Sequence, residues 1–574
     1  MKNLKTLVKY LKPYRLQLAI GPVFKLGEAI LEILIPTLMA ALIDNGINKG
    51  DTAYVLRLGV LMLITATCGV LFAYVCQYSA SVASQGFGTD VRGAMYRKIS
   101  SLSHSQLDRF STASLINRIT LDVNQLQGAV AMLIRLVIRA PFLCIGGLAM
   151  AMILDLKLSI ILMIVIVLFV VLLFLVMFRA VPLYNSVQKK LDSLTLILRE
   201  HLSGVRVIRA FARTDAECER FDAANTDFAD TAIRVGRIAA LTNPATTLLM
   251  NAAIIAIIWF GGIRVNIGSL TQGEVIAYIN YITLILNAMI VVANLVILYT
   301  KAYASAKRVS EVLDTEPDLA DGAGAALHAD GAKIEFKNVS LRYTDGADNA
   351  LDNINLSISR GETIGIIGVT GSGKSSLASL IPRFYDAQTG TVSVDGADVK
   401  SYPVSELRAK IGIVQQRAVL FSGSVRENMQ MGKPDATDAE IREALELAQA
   451  AEFVDKLPLG LDTHISQSGS NLSGGQKQRL TIARALVKKP EILILDDSSS
   501  ALDFRTDALL RKAIAGLGGG MTVIIISQRV NTVRGTDRIV VMDDGRIAAC
   551  APHDKLLRSC EIYREICTSQ EVDA

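Results

Sequence analysis

Residues 363–380 read Thr-Ile-Gly-Ile-Ile-Gly-Val-Thr-Gly-Ser-Gly-Lys-Ser-Ser-Leu-Ala-Ser-Leu. The apolar run at 363–367 predicts a buried strand, and the stretch that starts at Lys374 predicts a helix. Between them lies the spacing G-x-x-x-x-G-K-[ST], in which glycines let backbone N–H groups surround phosphates at a helix N-terminus. A chance glycine-rich turn would lack both flanking elements. The segment therefore predicts a phosphate-binding P-loop within an α/β domain.

The predicted P-loop assigns phosphate chemistry to particular side chains. Lys374 is expected to reach the β- and γ-phosphates of ATP, and Ser375 is expected to bind Mg²⁺. The predicted nucleotide-binding residues of this segment are Gly368, Val369, Thr370, Gly371, Ser372, Gly373, Lys374, Ser375 and Ser376. ATP and Mg²⁺ are accordingly the small molecule and the ion that the sequence predicts.

A second apolar run, at 492–495, ends in two acids, Asp496 and Asp497. The first acid is predicted to hold Mg²⁺ through water, as in a Walker B strand, and the second to orient and polarise the attacking water. Glutamate is the usual residue at the second position, and aspartate is shorter by one methylene. A general base must lie within about 2.6–3.2 Å of the proton it takes. We therefore expect a site that binds ATP better than it hydrolyses it.

The composition shows that part of the chain lies in lipid. Hydrophobic residues make up 51% of the 574 residues, which is high for a soluble protein. The net charge of +5 gives no argument for nucleic acid, and the seven cysteines show no zinc-binding or disulfide pattern. Apolar runs of the roughly 20 residues that a bilayer requires predict six spans. They are 16–43, 54–83, 129–154, 158–178, 238–263 and 275–300.

The loops between the predicted spans fix the orientation and the domain boundaries. The long connections 84–128 and 179–237 are rich in Arg and Lys, which places them in the cytoplasm. We expect the membrane helices to continue through these loops, with a short turn helix at each tip. The predicted fold is an all-α transmembrane domain at 1–310, a linker at 311–332 and an α/β nucleotide-binding domain at 333–574.

A third motif, Leu-Ser-Gly-Gly-Gln, lies between the P-loop and the acidic pair at 496–497, and it makes the family recognisable. Its residues are Leu472, Ser473, Gly474, Gly475 and Gln476. With it, nearly the whole chain resembles an ATP-binding cassette (ABC) transporter of the exporter type, as a half-transporter with six spans and one cassette. The resemblance implies that Tyr343 stacks on adenine and that Gln416 contacts Mg²⁺ and senses the membrane domain. It also implies a D-loop at Ser500, Ala501, Leu502 and Asp503, and a signature that completes the ATP site of an opposing cassette.

Two positions depart from the family pattern in the same site. Asp497 replaces the usual glutamate, and Gln528 stands where a histidine usually contacts the γ-phosphate. The combination resembles the degenerate-site subunit of heterodimeric bacterial multidrug exporters, which lends an intact signature to its partner. We expect a heterodimer with a second half-transporter. A homodimer in which Asp497 and Gln528 suffice is the alternative.

Further candidates lie in the membrane domain. The segment around 111–115 and the segment ending at Phe211 resemble coupling helices, with Phe211 as the residue inserted into a cassette. Asn280, Asn287 and Asn294 recur every seven residues, joined by Asn251 on the preceding span, and they either line a cargo cavity or bond between helices. Glu28 and Glu32 suggest a cationic cargo, unless they pair with Lys25, Arg135 or Arg139.

The predicted function is ATP-driven efflux of a drug, lipid or peptide across the plasma membrane, with the cassette in the cytoplasm. The expected partners are a second half-transporter, the bilayer and a small-molecule cargo, without nucleic acid. Two alternatives stay open from the sequence. One is import of a siderophore-like cargo on the same fold, and the other is a regulatory ATP-sensing subunit without transport of its own.

Overall fold

The computed structural model describes residues 2–322, 324, 331–343, 348–517 and 520–570. The chain forms two compact units. The first contains residues 1–100 and 113–315, and the second contains residues 101–112 and 316–574. The glycine- and alanine-rich part of the predicted linker, at 323 and 325–330, lies outside the described residues. The beginning of that predicted linker is helical, because the last membrane helix continues to Asp314.

The described residues of the first unit form helices joined by short turns. Its helices are α1 (Lys2–Val8), α2 (Arg15–Ala41) and α3 (Thr52–Ser101), then α5 (Thr112–Asn117), α6 (Val123–Arg135) and α7 (Arg139–Leu154), and finally α8 (Leu156–Ala210), α9 (Thr214–Ala240), α10 (Thr242–Asn266) and α11 (Gln272–Asp314). A 3₁₀ turn at Lys9–Tyr14 precedes α2, and π-helical turns at Leu42–Ile47 and Arg118–Asp122 continue α2 and α5. The helix α4 (His104–Phe110) belongs to the second unit.

Six helical segments among the described residues are long and apolar enough to cross a membrane. They are Lys5–Ile47, Thr52–Ser101, Thr112–Leu154, Leu156–Ala210, Thr214–Asn266 and Gln272–Asp314. Each contains one predicted span, so the number and order of the spans are confirmed. The segments have 43 to 55 residues, whereas about 20 residues cross a bilayer. The helices are therefore much longer than a bilayer requires, and their continuation into the cytosol stays a prediction.

Fully buried tyrosines hold the outer ends of these helices together. The hydroxyl oxygen of Tyr278 lies 2.5 Å from the carbonyl oxygens of both Ala151 and Asp155, which share its single proton. The hydroxyl of Tyr281 donates to the carbonyl oxygen of Ile33 at 3.0 Å. A buried hydroxyl without a partner would be costly, so these bonds fix α11 against its neighbours.

A buried acid just before α6 joins that helix to the C-terminal part of α11. Asp122 accepts hydrogen bonds from Ser305 Oγ at 2.9 Å and from Arg308 Nε at 2.8 Å. We expect Asp122→Ala to lower the thermal stability of the full-length protein by about 1–2 kcal/mol, because the replacement removes charge-assisted bonds to a half-exposed guanidinium. Thermal unfolding checks this, with Ser305→Ala as the milder control. An unchanged melting temperature in Asp122→Ala would contradict it.

The second unit is an α/β domain. Its strands are β1 (Ile334–Leu341), β2 (Leu351–Ile358), β3 (Thr363–Ile367), β4 (Thr389–Val394), β5 (Ala397–Asp398), β6 (Ile411–Val414), β7 (Gly423–Ser424), β8 (His464–Ile465), β9 (Ile492–Asp496), β10 (Thr522–Ile526), β11 (Arg538–Asp543) and β12 (Arg546–Ala551). Its helices after α4 are α12 (Lys374–Leu380), α13 (Val404–Lys410), α14 (Val425–Gln430), α15 (Asp438–Leu447), α16 (Ala451–Asp455), α17 (Gly474–Leu486), α18 (Phe504–Ala515), α19 (Val530–Val533), α20 (His553–Ser559) and α21 (Glu561–Ser569).

The six-stranded sheet positions the nucleotide site. Its order is β12-β11-β3-β10-β9-β6, with all neighbouring strands parallel except β11 and β12. The inner strands are largely apolar, as is typical of a parallel sheet that is buried on both faces. The predicted strand at 363–367 is confirmed as β3, and the apolar run at 492–495 forms β9 together with Asp496. Parallel strands end at one edge, so the residues after β3 and β9 lie close together.

Candidate functional site

The P-loop connects β3 to α12 through a turn that requires glycine. Gly371 and Gly373 have φ values of 89° and 94°, in the left-handed region that other residues rarely adopt. A Cβ on Gly373 would lie 2.7 Å from the carbonyl oxygen of Ala350. The glycines therefore allow the backbone to fold closely around a ligand at the start of α12.

Lys374 begins α12, and its ammonium group is buried beneath the loop. Its Nζ donates to the carbonyl oxygens of Gly368 at 2.8 Å and Val369 at 2.6 Å. Burial lowers the pKa of Lys374 below its ordinary value, while the carboxylates of Asp496 and Asp497 oppose that shift. The side chain is thus a desolvated cation, suited to binding an anionic phosphate.

Ser375 and Asp496 meet across the gap between α12 and β9. Ser375 Oγ donates to Asp496 Oδ1 at 3.0 Å, and burial raises the pKa of Asp496. A hydroxyl and a carboxylate are oxygen donors of the kind that Mg²⁺ binds together with phosphate oxygens and water. The two residues fit Mg²⁺, which when bound would neutralise charge on the phosphates.

Asp497 follows β9 in a left-handed conformation with φ of 45°. Its Oδ2 accepts a hydrogen bond from Gln416 Nε2 at 3.3 Å. Burial raises the pKa of Asp497, whereas the hydrogen bond from Gln416 and the charge of Arg529 oppose that effect. The structure thus brings the short second carboxylate and Gln416 together.

Gln528 lies beyond the end of β10 and faces the P-loop. Its Oε1 accepts a bond from Thr370 Oγ1 at 3.4 Å. The side chain of Gln570 holds the same segment, because its Nε2 donates to the carbonyl oxygen of Gln528 at 2.7 Å and its Oε1 accepts from the N–H of Val530 at 2.9 Å. Gln570 was not among the predicted site residues.

These residues surround one cavity of 350 Å³. Its lining consists of Tyr343, Ala350, Thr370, Gly371, Gly373, Lys374, Ser375, Ser376, Gln416, Asp496, Asp497, Ile526, Ser527 and Gln528. The predicted phosphate, metal and base positions therefore converge on one site. In the described part of the chain, the residues from Leu472 to Gln476 do not line it.

The LSGGQ segment forms the start of α17. Ser473 Oγ accepts from the N–H of Gln476 at 3.3 Å, and Gln476 Oε1 accepts from the N–H of Ser473 at 2.9 Å. This reciprocal capping orders the helix N-terminus. A Cβ on Gly475 would lie 3.0 Å from the carbonyl oxygen of Ala501, so the segment packs closely against the predicted D-loop.

The predicted D-loop connects the second acid to α18. Ser500 Oγ donates to the carbonyl oxygen of Asp497 at 2.9 Å. Leu502 is buried, and Asp503 caps α18 by accepting from the N–H of Thr506 at 3.1 Å. The chain thus connects the acid after β9 with the segment on which the signature packs.

The tips of the two long cytosolic hairpins differ from the prediction. The first tip is α4 at His104–Phe110, whereas the sequence suggested 111–115. Ser103 and Gln106 form a capping box that starts α4, and Ser111 ends it with φ of 59°. The second tip has no short turn helix, because only Phe211–Arg213 separate α8 from α9. The Phe211 side chain is 75% exposed there.

The carboxylates on the first span are paired with bases. Lys25 Nζ donates to both oxygens of Glu28 at 2.7 Å, and Arg139 Nη2 donates to Glu32 at 2.7 and 3.0 Å. The structure therefore has the alternative in which Glu28 and Glu32 pair with basic residues. A role of the two acids in binding a cationic cargo stays a prediction.

The predicted asparagine face is exposed in the single chain. Asn251, Asn280, Asn287 and Asn294 are all exposed. Asn280 Nδ2 donates to the carbonyl oxygen of Ile276 on its own helix at 3.0 Å. This face is thus available to a cavity or to a second subunit, and its role stays a prediction.

Comparisons with known proteins agree with this architecture. Residues 18–289 match the family described as ABC transporter transmembrane region, and residues 351–500 match the family described as ABC transporter. The chain is 38% identical to an uncharacterized ABC transporter ATP-binding protein of Bacillus subtilis, over 98% of each chain. It is 31% identical to the ATP-dependent lipid A-core flippase of Chromobacterium violaceum, over 98% of this chain and 96% of that one.

The fold also resembles a solved structure over nearly its full length. A bacterial Atm1-family ABC exporter with ATP bound superposes with a TM-score of 0.78, covering 99% of both chains at 24% identity. At this identity the likeness concerns the fold alone. Together with the matched families and relatives, it shows that the chain belongs to the ABC transporter family, as an exporter-type half-transporter with one transmembrane region and one ATP-binding cassette.

Proposed function

We propose that this chain is one half of a heterodimeric exporter in a bacterial plasma membrane, and that its own P-loop site hydrolyses ATP slowly. One observation carries the proposal: Asp497 and Gln528 line the same cavity as an otherwise complete P-loop. The signature at 472–476, by contrast, matches the family pattern throughout. In a pair of cassettes, each ATP site combines the P-loop of one cassette with the signature of the other, and we call this a composite site. The two substitutions therefore affect only the composite site that contains this chain's P-loop, and the site that contains its signature is intact.

The slow site follows from the reach of the Asp497 carboxylate. Aspartate ends one carbon–carbon bond short of glutamate, and here one of its oxygens also accepts from Gln416. A positioned general base contributes about 10² to 10⁴ in rate, so misplacing it removes much of the acceleration. Gln528 adds to the defect, because its neutral amide cannot become the cation that a protonated histidine can.

The signature is expected to serve the partner's site. Its N–H groups and the positive end of the α17 dipole can bind the γ-phosphate of ATP on an opposing P-loop. The capping bonds of Ser473 and Gln476 already hold this end in position. The partner is then expected to supply a glutamate after its Walker B strand and a switch histidine.

The transport cycle uses the two cassettes as a clamp. ATP binding at both composite sites closes them, and the cytosolic tips at α4 and Phe211 transmit the closure to the membrane helices, which then open outward. Hydrolysis at the partner's site reopens the clamp. The cargo is an apolar or amphipathic small molecule, a choice supported by the largely apolar spans and by the flippase relative.

The assembly is tested by comparing two purified samples. The chain alone is expected to hydrolyse ATP at least tenfold more slowly than the chain copurified with its proposed partner half-transporter. Mutating the predicted partner's Walker B glutamate to glutamine should remove the activity of the complex. Equal rates per cassette from the chain alone and from the complex would contradict the heterodimer.

A further inference from the structure

The aromatic residue predicted to stack on adenine is held in place by two neighbours. Tyr343 lies two residues beyond the end of β1 and is 46% exposed at the rim of the nucleotide cavity. Its hydroxyl donates to Ser376 Oγ in the first turn of α12 at 2.9 Å. Its ring meets the ring of Tyr385 edge to face, with centroids 5.0 Å apart and planes at 86°. The hydroxyl bond and the ring contact together set the orientation of the Tyr343 ring.

Tyr385 is in turn fixed by α4, the short helix at the first cytosolic tip. Its hydroxyl donates to Asp108 Oδ2 at 2.8 Å. Burial raises the pKa of Tyr385, and the Asp108 carboxylate raises it further, so the phenol stays a proton donor. The bond joins residues that are 277 positions apart in the sequence.

The residue beside Tyr385 strengthens this attachment. The rings of His104 and Phe384 stack with centroids 4.4 Å apart, and the Arg408 guanidinium lies 5.2 Å from the centroid of the Phe384 ring. Burial lowers the pKa of His104, with the charge of Arg408 acting in the same direction. The imidazole is therefore neutral at physiological pH and can stack against a ring beside a cation. Both Phe384 and Tyr385 thus contact α4.

We propose that Tyr385 and Asp108 are positioning residues for the adenine platform, which is the ring of Tyr343. The affinity of this cassette for the base of ATP then depends on how α4 packs against Phe384 and Tyr385. The inference rests on the proposed role of Tyr343 at the nucleotide site. The connection runs from Asp108 through Tyr385 to Tyr343. In this arrangement, displacement of α4 removes the edge support of the Tyr343 ring without changing any group that binds phosphate.

The effect should be specific for the base. An edge-to-face aromatic contact contributes enough to change a binding constant by about three- to tenfold. Tyr385→Ala is expected to weaken ATP binding by about that factor, and Asp108→Asn by about threefold. Binding of inorganic tripolyphosphate, which has no base, should change by less than about twofold in both variants. The phosphate contacts of Lys374 and the P-loop are not altered.

The experiment is equilibrium binding to the full-length chain in lipid nanodiscs, with Mg²⁺ present and at low temperature to prevent turnover. ATP and tripolyphosphate are titrated separately against wild type, Tyr385→Ala, Tyr385→Phe and Asp108→Asn. Tyr385→Phe keeps the ring but removes the bond to Asp108 altogether, whereas Asp108→Asn keeps an acceptor and removes only the charge, so Tyr385→Phe should weaken ATP binding at least as much as Asp108→Asn. Tyr402→Phe is the matched control, because it loses a buried bond to the carbonyl oxygen of Val394 at 2.8 Å without contacting Tyr343. It should bind ATP as wild type does.

A Tyr343→Ala variant tests separately whether Tyr343 binds the base, on which the positioning role of Tyr385 and Asp108 depends. If Tyr343→Ala weakens ATP but not tripolyphosphate, the platform role stands, and wild-type ATP affinity in Tyr385→Ala would then overturn the positioning role alone. Equal weakening of ATP and tripolyphosphate in Tyr385→Ala would also overturn it. These titrations require no hydrolysis, so their result is independent of whether the Asp497 site is slow.

Discussion

Replacing Asp497 by glutamate and Gln528 by histidine together is expected to raise the ATPase rate of the purified chain by about 10² or more. When two copies of this variant associate, each restored P-loop site meets a complete signature from the other copy. The longer carboxylate extends toward the water by one methylene, and the imidazole supplies a donor to the γ-phosphate. Hydrolysis is measured as phosphate release from the full-length chain in nanodiscs, on samples confirmed as dimers.

Two controls separate restored chemistry from a general change in the site. The variant that combines Asp497→Asn with Gln528→His has no carboxylate at position 497, and it should not exceed the wild-type rate. The single variant Asp497→Glu should recover more of the rate than Gln528→His, because the base acts on the attacking water itself. A wild-type chain that already matches the double variant would show that Asp497 is an adequate base here.

Placing an aspartate at Gly474 is expected to reduce ATP hydrolysis by the heterodimer at least a hundredfold. A Cβ at this position has its nearest neighbour, Ala501 Cβ, 4.0 Å away, so the side chain can be accommodated. A carboxylate at the N-terminus of α17 is compatible with the helix dipole, so the fold should survive. It would, however, stand where the partner's γ-phosphate must bind, and two like charges in a closed interface repel strongly.

The neutral analogue Gly474→Asn is the matched control, since it has nearly the same shape without the charge and should retain far more activity. Comparison with Lys374→Ala gives the asymmetry of the complex. The lysine variant damages only this chain's own slow site, so it should cost less hydrolysis than Gly474→Asp. The opposite ranking would mean that the P-loop described here is the principal hydrolytic site.

Local patterns made much of this architecture predictable. The strand Thr363–Ile367 and the P-loop glycines are adjacent in sequence, so an apolar run followed by fixed spacing identifies both. The six spans are equally local, because each is one long apolar helix. The pairing of Glu28 with Lys25 was among the expected alternatives, because residues three positions apart on a helix lie on the same face.

Contacts between distant segments were not predictable in the same way. Tyr385 and Gln570 contact residues of the nucleotide cavity, Tyr343 and Gln528, that are distant in sequence, and no periodicity marks either residue. The first tip was expected near 111–115, whereas α4 lies just before that segment, where the reciprocal bonds of Ser103 and Gln106 start a separate short helix. Such contacts depend on tertiary packing, which leaves no periodic pattern in a single sequence.

The membership of α4 in the second unit matters for how this protein can be dissected. A soluble fragment that starts at Glu316 would omit His104 and Asp108, leaving the ring of Phe384 and the hydroxyl of Tyr385 without the neighbours described above. We therefore expect such a fragment to aggregate more readily than a fusion that carries residues 101–112 ahead of it through a flexible linker. Biochemistry on the isolated cassette should use the grafted form.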